Sequence, residues 1–410
     1  MVQGSGGSGA GWNGALGVDG GGNLDADPQF IVPVDPDTAP TSDGDLRLTF
    51  GSPAMDAGDD AVATAATDVE GNLRIIAPQV DMGAYEVAAV CFATMDAITV
   101  YSSTTSLAVQ QAVDALTADQ VVKVAGYCAG VQSRGSVLQT VHISKSLTLR
   151  GGYSPEQWAA SMPVSYPTTL DAQGLGRGVY VVGAGQVTLE NMRIANGVAS
   201  GAGQVNGGGI RVADTDVTLS GCEVINGKAS NGGGVAYLGT GIARVVNVLF
   251  ARNTASSTGA AIYLNAAGSA HIVHTTIASP TIAARSGIYV GMGNAYITNT
   301  LVASQTTGIV QDATGVVQED YNLFAHTTTP TSGYVSSGQH SVVGAAYFAN
   351  SAGGDYHLTA SSDAIDAGVN AGVNTDFEGD ARPDGKGFDI GYDEYIVPVF
   401  KVYLPLVVRN

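Results

Sequence analysis

Carboxylates gathered in glycine-rich loops are the first chemistry this sequence offers. Asp376, Asp380, Asp384 and Asp389 lie close together in TDFEGDARPDGKGFDIGYDEY, and Asp56, Asp59, Asp68 and Asp81 follow a similar order far upstream. Oxygen-rich loops supply the ligands that Ca²⁺ takes, so the four downstream aspartates are a candidate cation site. The same side chains also cap tight turns, and Arg74 or Arg382 paired with a neighbouring aspartate would lock such a loop without a metal. Turn capping is the reading the sequence favours. Asp35, Asp37, Asp43 and Asp45 in VDPDTAPTSDGD form a second acidic run, whose spacing is not that of an EF-hand.

Three tyrosines offer a different chemistry. Tyr237, Tyr263 and Tyr289 are 26 residues apart each time. Rings repeated at a constant interval make a stacking platform for an extended glycan, or a ladder that only stabilises the fold. For catalysis, the nearest arrangement is RVADTD, where Arg211, Asp214 and Asp216 sit near Arg193 and Lys228 of neighbouring repeats. A polysaccharide lyase needs carboxylates holding Ca²⁺ beside a base that removes a proton α to a carboxylate, and two acids are too few for that cage. The histidines are scattered, and only His271 and His274 are near enough in sequence to meet. No G-x-S-x-G, H-E-x-x-H or P-loop signature is present. Acid pairs for glycoside hydrolysis are scarce between residues 179 and 310. The chain therefore reads as a non-enzyme, with a lyase as the remaining catalytic alternative.

A repeat from Val179 to about Thr328 must position these groups. TLENMRIANG, TLSGCEVING, RVVNVLFARN, HIVHTTIASP, YITNTLVASQ and QEDYNLFAHT share an alternating apolar run, a polar turn and a second apolar pair. Glycine-rich segments and short strands precede most copies: GGGIRV, GGGVAYL, GAAIYL, SGIYV and TGIVQ. Their leading positions Ile210, Val235, Ile262, Ile288 and Ile309 are 25, 27, 26 and 21 residues apart. A period of that length with two-residue alternation predicts an all-β solenoid, a right-handed parallel β-helix. Ile194, Val224, Phe250, Ile277, Val302 and Phe324 are expected to stack along its axis. Asn191, Gly221, Asn247, His274 and Asn299 fall at one turn, where the backbone needs positive φ. Cys222 beside this turn is expected to be a buried free thiol. Upstream, SLAVQQAVDALTAD has helical spacing, so a short helix near 107–117 should cap the first coil and cover its open edge.

Composition agrees with this class. Of 410 residues 56 are glycine and 13% are charged, while 45% are hydrophobic, which suits a turn-rich β chain and not a disordered one. The net charge of −19 argues against nucleic-acid binding. No run of 18 apolar residues exists, so no membrane span is expected, and the opening MVQGSGGSGAG has neither the basic nor the apolar region of a signal peptide. A long internal repeat divides the chain. Asp68, Asp81 and Glu86 recur as Asp376, Asp389 and Glu394, each 308 residues later, and Asp56 recurs as Asp366, 310 later. Residues 1–89 thus read as the closing segment of one β-helix unit. The next unit has a cap and first coils at 90–165, central coils at 166–341 and a closing segment at 342–397. Within the coils, the Thr/Ser/Gly-rich stretch 327–341 reads as a surface loop. An apolar tail, 398–410, follows.

The paired closing motifs, DAGD…TDVEGNLR…VDMGAYE and DAGV…TDFEGDARP…FDIGYDEY, resemble the end of choice-of-anchor Q domain proteins, secreted bacterial members of the pectate-lyase-like superfamily. CFATMDAITVYSS…VQQAVDAL…KVAGYCAGV…ISKSLTLRGGYS is similar to the first coils of the same proteins. The resemblance implies a right-handed β-helix held outside the cell or at its surface. Export would permit a disulfide, and Cys91 with Cys128, within one segment, is the candidate pair. The LPxTG and PEP-CTERM anchors are absent. The expected function is structural: a component of an extracellular surface layer, sheath or filament. Its partners would be copies of itself joined head to tail through the coil ends; no cofactor is expected, Ca²⁺ in the acidic loops being the one candidate. The alternative is an adhesin that binds cell-surface polysaccharide on Tyr237, Tyr263 and Tyr289.

Overall fold

The computed structural model describes residues 6–34, 44–48, 52–55, 57–71, 74–75, 79–87, 91–117, 120–201, 204–312 and 314–396. Asp35, Asp37, Asp43, Asp56 and the 398–410 tail lie outside them. The chain forms a β-solenoid of about eight turns. Each coil contributes one strand to each of three faces, and from Val179 onward the strands of these faces pair in parallel with their counterparts one coil away. On the first face Val179, Ile210, Val235, Ile262, Ile288 and Ile309 are in register. On the third face Leu170, Ile194, Val224, Phe250, Ile277, Val302, Phe324 and Val343 are in register. Most of these side chains are fully buried in one continuous core. Burying each Val, Ile, Leu or Phe stabilises by about 1.5–3 kcal/mol. The period-2 alternation makes the stack possible, because one face of every strand always points to the axis.

The turn between the second and third faces has the conformation its residues imply. Asn191, Gly221, Asn247, His274, Asn299 and Tyr321 all have φ between 45° and 57°. Left-handed backbone costs L-residues about 1–2 kcal/mol, least for Gly and Asn. His274 is fully buried, and its Nε2 accepts from Asn299 Nδ2 at 2.9 Å. Burial, with Arg382 nearby, pushes its pKa down to about 3, so the imidazole is neutral. Cys222 is a buried free thiol. The turn after the third face also runs left-handed, through Asn196, Asn226, Arg252, Ser304 and His326. Asn226 donates to Asn196, which donates to Asp171.

The upstream end of the coil stack is closed. Helix α1 (Leu107–Ala115) buries Ala108, Val109, Ala112 and Val113 against it. Gln110 replaces a missing strand: its Oε1 accepts from His142 N at 2.8 Å and its Nε2 donates to His142 O at 3.1 Å. The edge of the first coil therefore keeps its backbone pairing. Lys145 Nζ donates to the Asp114 and Leu116 carbonyls at 2.7 and 2.6 Å, satisfying the helix end. A disulfide joins Cys91 to Cys128, both fully buried beneath α1.

The stretch 327–341 departs from the expected surface loop. Thr329–Gly333 and Val335–Ser337 are the last rungs of the first and second faces, and Val342–Gly344 completes the third. Backbone pairing recruits these mostly polar residues, with Val335 alone among 329–337 packing against the core, which is why their composition hid them. At this end Tyr334 and Val343 are exposed.

Candidate functional site

The acidic closing segment is a module built around a buried ion pair. Strands Phe348–Asn350 and Asp355–Leu358 form an antiparallel hairpin. Behind it, Arg382 Nη1 meets Glu394 Oε2 at 2.8 Å with both side chains fully buried, and Arg382 Nη2 donates to the Gly391 carbonyl at 3.0 Å. Glu394 also accepts from the amides of Asp384 and Asp389. The lock is therefore Arg–Glu, not the expected Arg–Asp. Asp376 Oδ1 accepts from the amides of Glu378, Gly379 and Asp380, each at 2.9 Å. Asp389 is fully buried and accepts from the amides of Asp366 and Tyr395 at 2.7 Å, while burial pushes its pKa up to about 7.

This geometry brings together two of the four aspartates of the expected cation site. Asp376 and Asp380 come together with Glu378, their oxygens within 4.8 Å of one another. Asp389 is turned into the module to cap two amides, and Asp384 does not join the cluster. Asp376 Oδ1 is saturated by three N–H donors, a turn-cap arrangement that leaves little acceptor capacity for an ion. Among the described residues a second such cluster is His357, Glu378 and Asp393. Asp355 and Glu378 take up the two ring nitrogens of His357, at 2.6 and 3.3 Å. Glu378 first, then Asp355 and Asp393, raise its pKa to about 10. A doubly donating imidazolium has no lone pair for a metal.

The module docks on the outer side of the third face. Leu249, Ala251, Ala278, Leu301, Ala303, Leu323 and Ala325 point away from the axis and form a second core with Tyr356, Leu358, Ala364, Ile390 and Tyr392. The turn ladder supplies the polar half of the interface. Asn299 donates to Val369 O at 2.7 Å and accepts from Val369 N at 2.9 Å, Asn247 donates to Thr375 O at 2.7 Å, and Thr276 Oγ1 accepts from Tyr392 N at 3.1 Å. Beside this interface is a cleft of about 230 Å³, between the Pro163–Pro167 loop and the module. Arg193 and Glu223, paired at 2.5 Å, line one wall, and His357, Phe377 and Glu378 the other. Its sequence signal was the switch of outward third-face positions from charged Arg193 and Glu223 to apolar Leu249 and Leu301.

The tyrosine platform has two rungs, not three. Tyr263 and Tyr289 are in register on the outside of the first face and stack with centroids 5.6 Å apart. Ala236 occupies the rung before them, and Tyr237 points inward, 4% exposed. The reason is parity: Tyr263 and Tyr289 follow Ile262 and Ile288 by one residue, whereas Tyr237 follows Val235 by two. The same outer row continues upstream through Arg211, Tyr180 and His142, with Arg211 4.8 Å over the Tyr180 ring. The lyase candidates are otherwise employed: Asp214 Oδ1 accepts from Thr240 N and Asp216 Oδ1 from Ile242 N. His271 stacks on Tyr296 outside the second face, away from buried His274.

Fold and site together define a β-solenoid closed by a flank-docked acidic module. No protein-family model matches this chain, and no curated protein matches it by sequence. Among the described residues no helix is long and apolar enough to cross a membrane.

Proposed function

We propose that this chain is a secreted structural protein of an extracellular surface layer, sheath or filament, built from serial β-helix units. The observation that carries the reading is the recurrence of the closing module. Arg74 meets Glu86 at 2.9 Å as Arg382 meets Glu394 at 2.8 Å. Glu86 N bonds Asp68, and Val87 N bonds Asp81, as Glu394 N bonds Asp376 and Tyr395 N bonds Asp389. A chain that repeats its closing module is organised as an array, and unit repetition is how extended assemblies are made. The Cys91–Cys128 disulfide supports an oxidising compartment. The resemblance of both closing motifs to choice-of-anchor Q domain proteins points to the cell exterior. Electron microscopy and light scattering on the purified chain test the proposal: concentration-dependent filaments or layers are expected, and a strictly monodisperse monomer at high concentration overturns it.

The outer row of the first face supports a second reading, an adhesin that stacks an extended glycan on Tyr263 and Tyr289. Base or sugar rings gain from such platforms because the aromatic faces are already aligned. A glycan array should return hits that Tyr263→Ala weakens; no hits, or unchanged binding by Tyr263→Ala, dismisses it.

A further inference from the structure

The two closing modules share a backbone, but among the described residues only the downstream one is covered by a β-helix flank. Strands Phe30–Val32 and Asp45–Leu48 pair with Phe30 opposite Leu48, as Phe348 pairs opposite Leu358. Met82 N bonds Ala54 O and Gly58 N bonds Val80 O, as Ile390 N bonds Ala364 O and Gly368 N bonds Phe388 O. In the downstream module the face formed by Tyr356, Ile390 and Tyr392 is 0–2% exposed, because the third-face flank covers it. The corresponding upstream positions are Leu46, Met82 and Ala84. Leu46 is 45% exposed, Ala84 is exposed, and with Phe30, Leu48 and Tyr85 they line an open hollow of about 370 Å³. Gly391 N and Tyr392 N, bound by Asn299 O and Thr276 Oγ1, correspond to Gly83 N and Ala84 N, which have no partner among the described residues.

We propose that the upstream face carrying Leu46, Met82 and Ala84 docks on the flank of a further parallel β-helix unit, one other than the stack of residues 91–344. This rests on the serial-unit reading above and names its contact. The partner's chemistry follows from the downstream interface. Its third-face strands present apolar side chains outward as well as inward, and an Asn in the preceding turn grips the backbone of Asp59 as Asn299 grips Val369. A hydroxyl one rung away accepts from Ala84 N. Opposite Leu46 and Ala84 the partner is bulkier than Leu301 and Ala303, because this module has lost the two tyrosine rings that fill the downstream interface. The flank of a second identical chain is excluded on both counts: it is already occupied by residues 345–395, and it is shaped for tyrosines.

The test uses this chain's own flank as the probe. In the full chain, residues 346–395 are replaced by a copy of 28–87 in which the equivalents of Leu46 and Ala84 are changed to Tyr. The swapped chain is expected to bind no more apolar dye than the parent, whose upstream face is the same, and Asn299→Ala is expected to lower its Tm by several degrees, as in the parent. An intact β-helix by circular dichroism in which Asn299→Ala has no effect, with more dye bound than by the parent, overturns the proposal. Should the swapped chain fail to fold, the unmodified chain decides. Leu46→Glu should leave the melting of the upstream module unchanged, whereas Tyr356→Glu lowers that of the downstream one. A fall caused by Leu46→Glu would mean the face is already covered, and the proposal fails. Each measurement is made on single chains, so a failure to form filaments would leave the result standing.

Discussion

Arg382→Ala and Arg74→Ala are a matched pair of perturbations on one network in two surroundings. Arg382 and Glu394 are both fully buried, so removing the guanidinium leaves a carboxylate in the interior with only the amides of Asp384 and Asp389 beside it. Breaking a buried pair in this way costs about 3–5 kcal/mol. Arg74 makes the same ion pair, but its side chain is 16% exposed on the uncovered module. Water reaches the site, so the loss is closer to that of a charge-assisted hydrogen bond, about 1.5–3 kcal/mol. Amide hydrogen exchange reads both modules in one sample, through Asp389, Glu394 and Tyr395 downstream and Asp81, Glu86 and Val87 upstream. The sign with pH is also set. Burial already raises the pKa of Glu394 above its ordinary value, and loss of Arg382 raises it further. The Arg382→Ala deficit should therefore be small below about pH 4, where Glu394 is protonated in both states, and grow as pH rises. Equal losses from the two substitutions, or a deficit indifferent to pH, would refute the reasoning that burial decides what this pair is worth.

Three other outcomes are expected. Replacing Cys91 and Cys128 by serine frees a 37-residue separation, which on the chain-entropy account costs about 4 kcal/mol, and the loss should appear first in α1 by hydrogen exchange. Between about pH 4 and 10 the docked module should weaken as pH rises, since the carboxyl and imidazole groups that titrate there are shifted upward: Asp393 is raised to about 6 and Asp389 to about 7, mainly by burial, and His357 to about 10 by Glu378 and Asp355. The aspartate contributions fade between about pH 4 and 7 and that of His357 between about 6.5 and 10, so a module that melts higher at pH 9 than at pH 4 contradicts this. Calcium titration should leave Tm unchanged, because Asp376 Oδ1 is saturated by three amides; a rise of several degrees that chelator reverses would restore the cation site.

How far the sequence could be read depended on whether a residue's job was local. The coil ladder was legible because inward and outward positions alternate along one strand, and the left-handed turn was legible because it demands Asn or Gly. The inward place of Tyr237 was legible too: counting from Val235 puts that ring on the axis side. The last coil was not, because Thr329–Gly333 is recruited by backbone pairing to Gln305–Gln311 and not by its own composition. The acidic loops gave residue types without roles. Asp and Glu look alike in sequence, and only the folded loop shows that Glu394 takes the arginine while Asp376 and Asp389 take amides.

The sequence by itself determined the solenoid, its capping helix, its turn chemistry and the repetition of the closing segment, since each rests on local periodicity, conformational preference or self-similarity. The tertiary structure alone decided where the closing segment goes. Leu249, Leu301 and Leu323 are apolar on the outer side of a strand whose inner side is already filled, and a hydrophobic residue carries no label for which of two faces it serves. Docking gives those residues a second core, and among the described residues the upstream copy of the same module keeps Leu46 and Ala84 of its matching face exposed.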